Sequence, residues 1–229
     1  HMVYWCTALS SVCELDTENV TEMNSMFLGC SNLSSVPLFD TSNVSSMDYM
    51  FCYCRSLTSV PHFNTSAVKR VANMFFECSS LSSVPLFDTH NVYEMGGFLY
   101  WCTSLTSVPE FDTSNVSGMH EMLTTCVSLT SVPVFDTHNV IDMRNICEGC
   151  KNLTSVPQFD TTKVTKIDRA FMNCLNVQSG ALNLYNQATA QATPPTSHIG
   201  TFYHCGVNTE QGSLELAQIP SGWKRPNDQ

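Results

Sequence analysis

Eight cysteines recur at one constant interval, a cysteine at every twenty-fourth position: Cys6, Cys30, Cys54, Cys78, Cys102, Cys126, Cys150 and Cys174. A spacing held this regularly shows that one small structural unit is copied along the chain, and stacked copies of such a unit form a solenoid. The repeat therefore overrides the one or two globular domains that a length of 229 residues would suggest. We predict a single repeat array with modified ends.

The repeat follows the pattern LTSVPxFDTSNVxxMxxMFxxCxS. Its apolar positions are three and four residues apart, as in an amphipathic helix, but the proline after SV and the Asp-Thr pair after the phenylalanine break any helix there. The repeat is also too short for a helical pair and lies within the range of leucine-rich repeats, roughly 20 to 29 residues. The pattern predicts a leucine-rich repeat solenoid of the β-rich α/β repeat class. Each coil would have a short strand at LTSV, a corner at Pro and Asp-Thr, a second extended piece at VxxM and one helical turn at MFxxC. The units begin at Leu9, Leu33, Leu57, Leu81, Leu105, Leu129 and Leu153.

The ends of the chain depart from this pattern. His1 and Met2 resemble an expression-vector remnant, and residues 3–176 form the array, which opens with a half unit ending at Cys6. Residues 177–229 are expected to form a C-terminal cap built on one altered unit, because a solenoid must cover its last coil. In this cap Phe202 and Cys205 would take the places of Phe171 and Cys174 after a seven-residue insertion. Helical spacing predicts a helix over 180–192, and LELAQIP resembles a final strand.

Charge excludes two classes of partner. Ten Lys and Arg against twenty Asp and Glu give a net charge of −10, which repels nucleic acids and anionic membrane surfaces. No stretch approaches the 18 or more apolar residues that a membrane span needs, so membrane insertion is not expected. We expect a monomer.

The cysteine column is predicted to be structural. Equivalent side chains in an in-register stack lie about 4.8 Å apart, whereas a disulfide requires Cβ atoms about 3.8 Å apart. We therefore expect free, buried thiols that donate weak hydrogen bonds to carbonyl groups. The column is expected to continue to a ninth member, Cys205. Cys52 with Cys54 and Cys147 with Cys150 have metal-like spacings but lack a matching pair, so no metal or cofactor is expected. Cys52 occupies a variable surface column and is expected to be the most reactive thiol, and Cys13 lies in the proline column. A disulfide involving Cys13 or Cys52 stays open.

Two polar columns have structural explanations. Aspartates followed by threonine suit corners at which a carboxylate accepts backbone N–H groups, with a calcium ladder as the alternative; they are Asp16, Asp40, Asp88, Asp112, Asp136 and Asp160. Asparagines three residues further on are interpreted as a buried amide column that bonds backbone groups between coils; they are Asn19, Asn43, Asn91, Asn115 and Asn139.

The phrase FDTSNVxxMxxMFxxCxSLTSVP resembles the repeats of BspA-like leucine-rich bacterial surface proteins, in which LTSLDLSxFDTSNVTxMxxMFxxC recurs, over residues 3–176. The resemblance implies a right-handed solenoid in a secreted or surface-anchored protein, bacterial or phage-associated, that binds host or matrix components. The chain shortens LDLSxF to VPxF, which would alter the curvature of the sheet.

Specificity would lie in the variable columns. Aromatic residues gather there in the second to fourth units: Tyr49, Tyr53, Phe76, Tyr93, Tyr100 and Trp101. Exposed aromatic residues on a rigid surface are typical of a binding site, although these rings could instead cover the edge of the coil. The leading hypothesis is a non-enzymatic adhesion module for a protein or glycan partner, and the alternative is a structural spacer of a surface or phage-particle protein. An enzyme in the tail would have only His198, His204 and Cys205 as candidate residues.

Overall fold

The repeat units stack as the coils of a leucine-rich repeat solenoid. The computed structural model describes residues 3–225; His1 and Met2, expected to be a vector remnant, and the last four residues lie outside that range. Neighbouring coils pair in parallel at equivalent positions of successive repeats, as in the bridge between Ser46 and Arg70. The pairing residues are Glu22, Ser46, Arg70, Glu94, Gly118, Asp142 and Lys166.

The extended parts of the coils are shorter than expected. Between residues 3 and 225 the pairing consists of isolated bridges, and the regular ladder follows the second extended piece instead of LTSV. At LTSV a single bridge joins Ser155 and Ser179, and other coils share only bonds such as that from the Thr58 N–H to the Ser34 carbonyl, 3.3 Å. The proline that follows SV has no N–H to donate, so the ladder cannot continue through it.

The segment MFxxC is a series of tandem β-turns, and the predicted helical turn is wrong. The N–H groups of Met50, Cys52 and Cys54 donate to carbonyl groups three residues earlier, at 2.9 to 3.2 Å. The N–H groups between them donate instead to the next coil, as Phe51 does to the Met74 carbonyl at 2.9 Å. A helix would direct all of these donors along its own axis, whereas alternation lets every second one hold the neighbouring coil.

The core is a set of stacked columns. Phe27, Phe51 and Phe75 stack in succession with ring centroids 5.5 and 5.6 Å apart, and a second column runs from Phe39 through Phe63. Leucine, valine and methionine columns fill the rest of the interior and are buried along most of the array. Because each coil buries its apolar face only against its neighbours, stability accumulates coil by coil.

The polar corner is confirmed at the aspartates and corrected at the asparagines. The Asp112 carboxylate accepts the N–H of Ser114 at 3.0 Å, as expected for an Asx turn. The amide of Asn115 does bond the preceding coil, at the His90 carbonyl, but its side chain is exposed. The buried polar column is formed by the threonines: Thr89 donates from Oγ1 to the Asp112 carbonyl at 2.8 Å, and Thr17, Thr41, Thr65, Thr113 and Thr137 make the same bond to the next coil. A threonine hydroxyl reaches this carbonyl with no spare polar atom, so it can be buried where an amide cannot.

Two helices, α1 (Ala181–Thr189) and α2 (Glu210–Gln218), and a 3-10 helix (Ser221–Trp223) cover the last coil. Helix α1 lies within the predicted range and buries Leu184 and Ala188. The predicted insertion is confirmed, because Lys166 bridges to Ser197, whereas the uninterrupted interval would have paired it with Ala190. The predicted final strand at LELAQIP is wrong: these residues lie mainly in α2, whose N-cap is Thr209. The Thr209 side chain accepts the N–H of Gly212.

Trp223 closes the end of the core. It is buried and stacks on His198, with ring centroids 4.5 Å apart, and on Phe202. Neither helix within residues 3–225 reaches the length and apolarity that a membrane span requires.

Candidate binding surface

Two backbone positions in every coil adopt the left-handed conformation, and both lie in the tandem turns. The first left-handed column contains Ser25, Tyr49, Asn73, Gly97, Glu121, Asn145, Arg169 and Gly200, and the second contains Trp5, Gly29, Tyr53, Glu77, Trp101, Thr125, Gly149, Asn173 and His204. A positive φ places the carbonyl and N–H groups where the alternating bonds need them. It costs residues with a Cβ roughly 1 kcal/mol each, and glycine almost nothing.

Six aromatic side chains form a continuous row along this edge, and we name them the aromatic row: Tyr4, Trp5, Tyr53, Phe76, Tyr100 and Trp101. Their ring centroids lie 4.4 to 6.2 Å from the next ring in the row. The closest contact is between Phe76 and Tyr100, which occupy equivalent positions in adjacent coils and stack at 4.4 Å with their planes 5° apart. In-register stacking therefore builds the row from separate repeats.

The two ends of the row are open to solvent. Tyr4 and Trp5 at one end are 53% and 52% exposed, and Trp101 at the other is 45% exposed. The rings between these ends, Tyr53, Phe76 and Tyr100, are half-buried. The Arg55 guanidinium lies 5.4 Å from the centroid of the Tyr53 ring and pairs with Glu77 at 2.6 Å. The rigid, amphipathic rings and the arginine are side chains favoured at interface centres.

Tyr49 and Tyr93, the other two predicted site residues, lie outside the row. Both are exposed, and within residues 3–225 neither has a ring contact with the row. Tyr93 carries the guanidinium of Arg70 5.7 Å from its centroid, and Arg70 in turn pairs with Asp48 at 2.8 Å. The structure therefore brings together four of the predicted residues, Tyr53, Phe76, Tyr100 and Trp101.

The cysteine column runs behind this edge. Each thiol from Cys54 to Cys174 donates to a carbonyl of the preceding coil at 3.1 to 3.2 Å, as Cys102 does to Phe75. Cys30 makes the same bond to Val3 at 2.9 Å, and Cys205 is buried in the cap. Cys6, at the start of the column, is exposed. All twelve cysteines are free, and no group of His, Cys, Asp or Glu within residues 3–225 is arranged to hold a metal ion.

Cys52 is not a surface residue, so its expected reactivity is wrong. It is buried, and this burial, with the charge of Glu77 nearby, raises the pKa of its thiol to about 12. The thiolate is the reactive form, and it is suppressed at neutral pH. The exposed thiols are Cys6 and Cys13.

The tail residues do not form a nucleophilic site. Burial raises the pKa of Cys205 well above its usual value, so its thiol stays protonated. The exposed His204 stacks on Tyr203 with ring centroids 3.8 Å apart, and His198 stacks on Trp223. Each of the three side chains contributes to the packing of the cap.

Comparison with known proteins identifies the family. The model of the family described as "Mycoplasma protein of unknown function, DUF285" matches residues 1–109 and 98–194, well over half of the chain. The chain belongs to this family of BspA-like leucine-rich repeats. No curated protein is significantly similar to it.

Solved structures support the fold of this BspA-like chain. A leucine-rich repeat protein of T. pallidum is 19% identical, with a TM-score of 0.57, covering 82% of this chain and 85% of that protein. A leucine-rich repeat protein from Bacteroides ovatus is 18% identical, with a TM-score of 0.56 and coverage of 86% and 49%. One from Eubacterium ventriosum is 18% identical, with a TM-score of 0.50 and coverage of 89% and 50%. The BspA-like chain thus spans about half the length of the latter two.

Sequence reasoning missed Tyr4 and Trp5. Both lie in the half unit before Leu9, where no complete repeat defines the columns. The available signal was position: Trp5, Tyr53 and Trp101 follow one another at intervals of two whole repeats, so the three share one column. Gly29, Gly149 and Asn173 in that column could also have indicated a left-handed backbone.

Proposed function

We propose that this BspA-like chain is a non-enzymatic binding module that presents the aromatic row to a protein or glycan ligand outside the cell, as an adhesin does. Family membership supports the location, since BspA-like proteins are typically secreted or held at the cell surface. The solenoid supplies a rigid scaffold whose interior columns repeat while its edge residues vary. A varying edge on a constant interior allows one fold to serve many ligands.

One observation carries the proposal: bulky aromatic residues occupy left-handed backbone positions. Trp5, Tyr53 and Trp101 have φ values of 55°, 64° and 58° in the same column in which Gly29 and Gly149 stand. Each aromatic residue raises the free energy of the folded state there by roughly 1 kcal/mol relative to glycine. Trp101 is also 45% exposed, so nearly half of its side chain stabilises nothing in the fold and is free to contact a ligand. Side chains that oppose local backbone preference and face solvent are expected at functional sites.

Replacement of Trp101 by glycine tests the proposal. Trp101→Gly relieves the left-handed strain but also removes the buried half of the indole and its contact with Tyr100, so we expect the free energy of unfolding to fall by no more than about 2 kcal/mol. Binding to ligands captured by the parent on arrays of glycans and host matrix proteins should be lost. Trp5→Gly should weaken the same interaction.

Thr125→Gly is the matched control. Thr125 is the next residue of the same left-handed column, with a φ of 60°, and it lies outside the aromatic row. This variant should gain stability without a change in binding. If Trp101→Gly instead destabilised the chain by several kcal/mol while ligand capture persisted, the ring would be a cover for the coil edge, and the spacer function would be favoured.

A further inference from the structure

The middle of the solenoid has no basic side chains other than histidine. Residues 71–143, which we name the acidic belt, contain no lysine or arginine and eight carboxylates: Glu77, Asp88, Glu94, Glu110, Asp112, Glu121, Asp136 and Asp142. Phe76, Tyr100 and Trp101 lie within this belt. Half of the aromatic row is therefore in a field that attracts cations and repels anions.

The chain itself shows how such a surface holds a cation. Arg55 lies over Tyr53 and pairs with Glu77 of the next coil, at 5.4 Å from the ring centroid and 2.6 Å from the carboxylate. Arg70 lies over Tyr93 and pairs with Asp48 of the preceding coil, at 5.7 and 2.8 Å. Both sites combine an aromatic face with a carboxylate from a neighbouring coil, an arrangement that suits the flat guanidinium group.

A third combination of aromatic rings and a carboxylate has no guanidinium over its rings within residues 3–225. The exposed Trp101 and the half-buried Tyr100 lie one coil from Glu121, whose carboxylate makes no hydrogen bond or ion pair within residues 3–225. Arg144 is near enough for its charge to act on Glu121, but its guanidinium is paired with Asp142 at 2.6 Å. The pKa of the Tyr100 hydroxyl is raised by burial and then by the charges of Glu121, Glu148 and Glu77, which shows that several carboxylates act on this point. Glu77 is already paired with Arg55 and Glu148 accepts a hydrogen bond from Asn145 at 2.7 Å, so Glu121 is the carboxylate of the three that has neither kind of bond within residues 3–225.

We propose that the ligand of the aromatic row is a basic protein segment, one of whose arginine or lysine side chains lies over Tyr100 and Trp101 and pairs with Glu121. The inference rests on the proposed function and specifies its ligand class. A neutral glycan could stack on the rings and donate hydroxyl hydrogen bonds to the carboxylates but would carry no charge opposite to theirs, and an acidic glycan would be repelled by the belt. Charge complementarity therefore favours a basic polypeptide.

Defined peptides provide the test on the full chain. Fluorescently labelled peptides of repeated Arg-Gly-Ser, Lys-Gly-Ser and Glu-Gly-Ser can be titrated by fluorescence anisotropy at low and high salt. We expect the arginine peptide to bind about tenfold more tightly than the lysine peptide and far more tightly than the acidic one. Trp101→Gly should weaken binding of the arginine peptide about tenfold, and Glu121→Gln about threefold or more.

Glu110→Gln separates a site from a diffuse charge effect. Glu110 is an exposed carboxylate of the same belt that lies beside Pro109, at the opposite corner of the coil from the turns. Its replacement should leave binding of the arginine peptide unchanged. Equal weakening by Glu110→Gln and Glu121→Gln, or equal affinity for basic and acidic peptides, would overturn the inference.

The two proposals fail in different ways. If a glycan or an uncharged protein surface bound through Trp101 with an affinity indifferent to salt and to Glu121→Gln, the binding function would stand and the basic ligand would be wrong. If Trp101→Gly left every ligand of the parent bound, both proposals would be wrong.

Discussion

The indole of Trp5 stacks on the ring of Tyr53 two coils away, with ring centroids 5.9 Å apart and planes inclined by 28°. The residue between them in the second left-handed column is Gly29, and a Cβ at that position would lie 2.5 Å from the indole. Trp5 can reach Tyr53 across the intervening coil only because Gly29 has no side chain.

Gly29→Ala should therefore cost more than its backbone strain. The left-handed φ of 77° alone should lower the free energy of unfolding by roughly 1 kcal/mol, and displacement of the indole should add to that loss. Gly149→Ala is the control, because its φ is 73° and the atom nearest to an added Cβ would be the Thr125 hydroxyl oxygen, at 3.1 Å. Urea unfolding and near-ultraviolet circular dichroism measure the two effects. Equal losses with unchanged aromatic spectra would show that Trp5 does not lie over Gly29.

Thiol reactivity should report the depth of the cysteine column. In the native protein only Cys6 and Cys13 are exposed, so a thiol reagent should label these two rapidly and the other ten only on unfolding. The buried thiols are protected because the reagent cannot reach them, and burial also raises the pKa of thiols such as Cys102. The double variant Cys6→Ser, Cys13→Ser should show no rapid phase. A rapid phase that remained and mapped to Cys52 would contradict the burial described here.

The sequence predicted the stack of coils because each core column recurs at a fixed interval and must be buried in every copy. It predicted the place of Phe202 and Cys205 for the same reason, once the insertion was recognised. It could not give the tandem turns, since turns and a helix both place apolar residues three and four positions apart. The difference is the sign of φ at residues such as Tyr49 and Tyr53, which the sequence hardly records.

The residues at positions equivalent to Cys52 do not predict that Cys52 is buried. Equivalent positions hold Leu28, Phe76, Thr124 and Glu148, a variety that resembles a solvent-exposed surface. In the structure these side chains lie between the two left-handed columns, where a small residue is covered and a long one reaches solvent. Burial at these positions depends on the length of each side chain, so the mixture of residue types in the column does not show which of them are buried. The same seam holds Phe76 and Tyr100, whose stacking joins the two halves of the aromatic row.

The buried threonine column should contribute measurably to stability. Thr89→Val keeps the shape of the side chain but leaves the Asp112 carbonyl without its 2.8 Å hydrogen bond, which should lower the free energy of unfolding by about 1–3 kcal/mol. Thr89→Ser keeps the donor and should cost less. Thr106→Val, at an exposed position, should change stability by less than about 0.5 kcal/mol in a urea titration. A Thr89→Val protein as stable as Thr106→Val would show that the hydroxyl bond between coils contributes nothing.

The aspartate corners should make the solenoid sensitive to acid. The Ser114 hydroxyl and N–H donate to Asp112 at 2.6 and 3.0 Å and lower the pKa of its carboxyl, and Thr162 lowers that of Asp160 in the same way. Because the folded-state pKa lies below the unfolded value of about 3.9, these carboxylates stabilise the fold fully above that pH, and the contribution is lost as the pH falls through the folded-state pKa. The urea concentration at the unfolding midpoint should therefore fall as the pH is lowered below about 4.

An amide at the same corner keeps the bonds but does not titrate. Asn64 shows this, since its Oδ1 accepts the Ser66 hydroxyl and N–H at 2.8 and 3.2 Å. The double variant Asp112→Asn, Asp160→Asn should consequently lose stability less steeply between about pH 4 and pH 2 than the parent, whereas Asn64→Asp should lose it more steeply. A double variant that fell as steeply as the parent would assign the acid sensitivity to carboxylates outside the corners. Comparison of Asn64 with the aspartates at the equivalent corners thus measures how much the corner carboxylates contribute to the pH dependence of the free energy of unfolding.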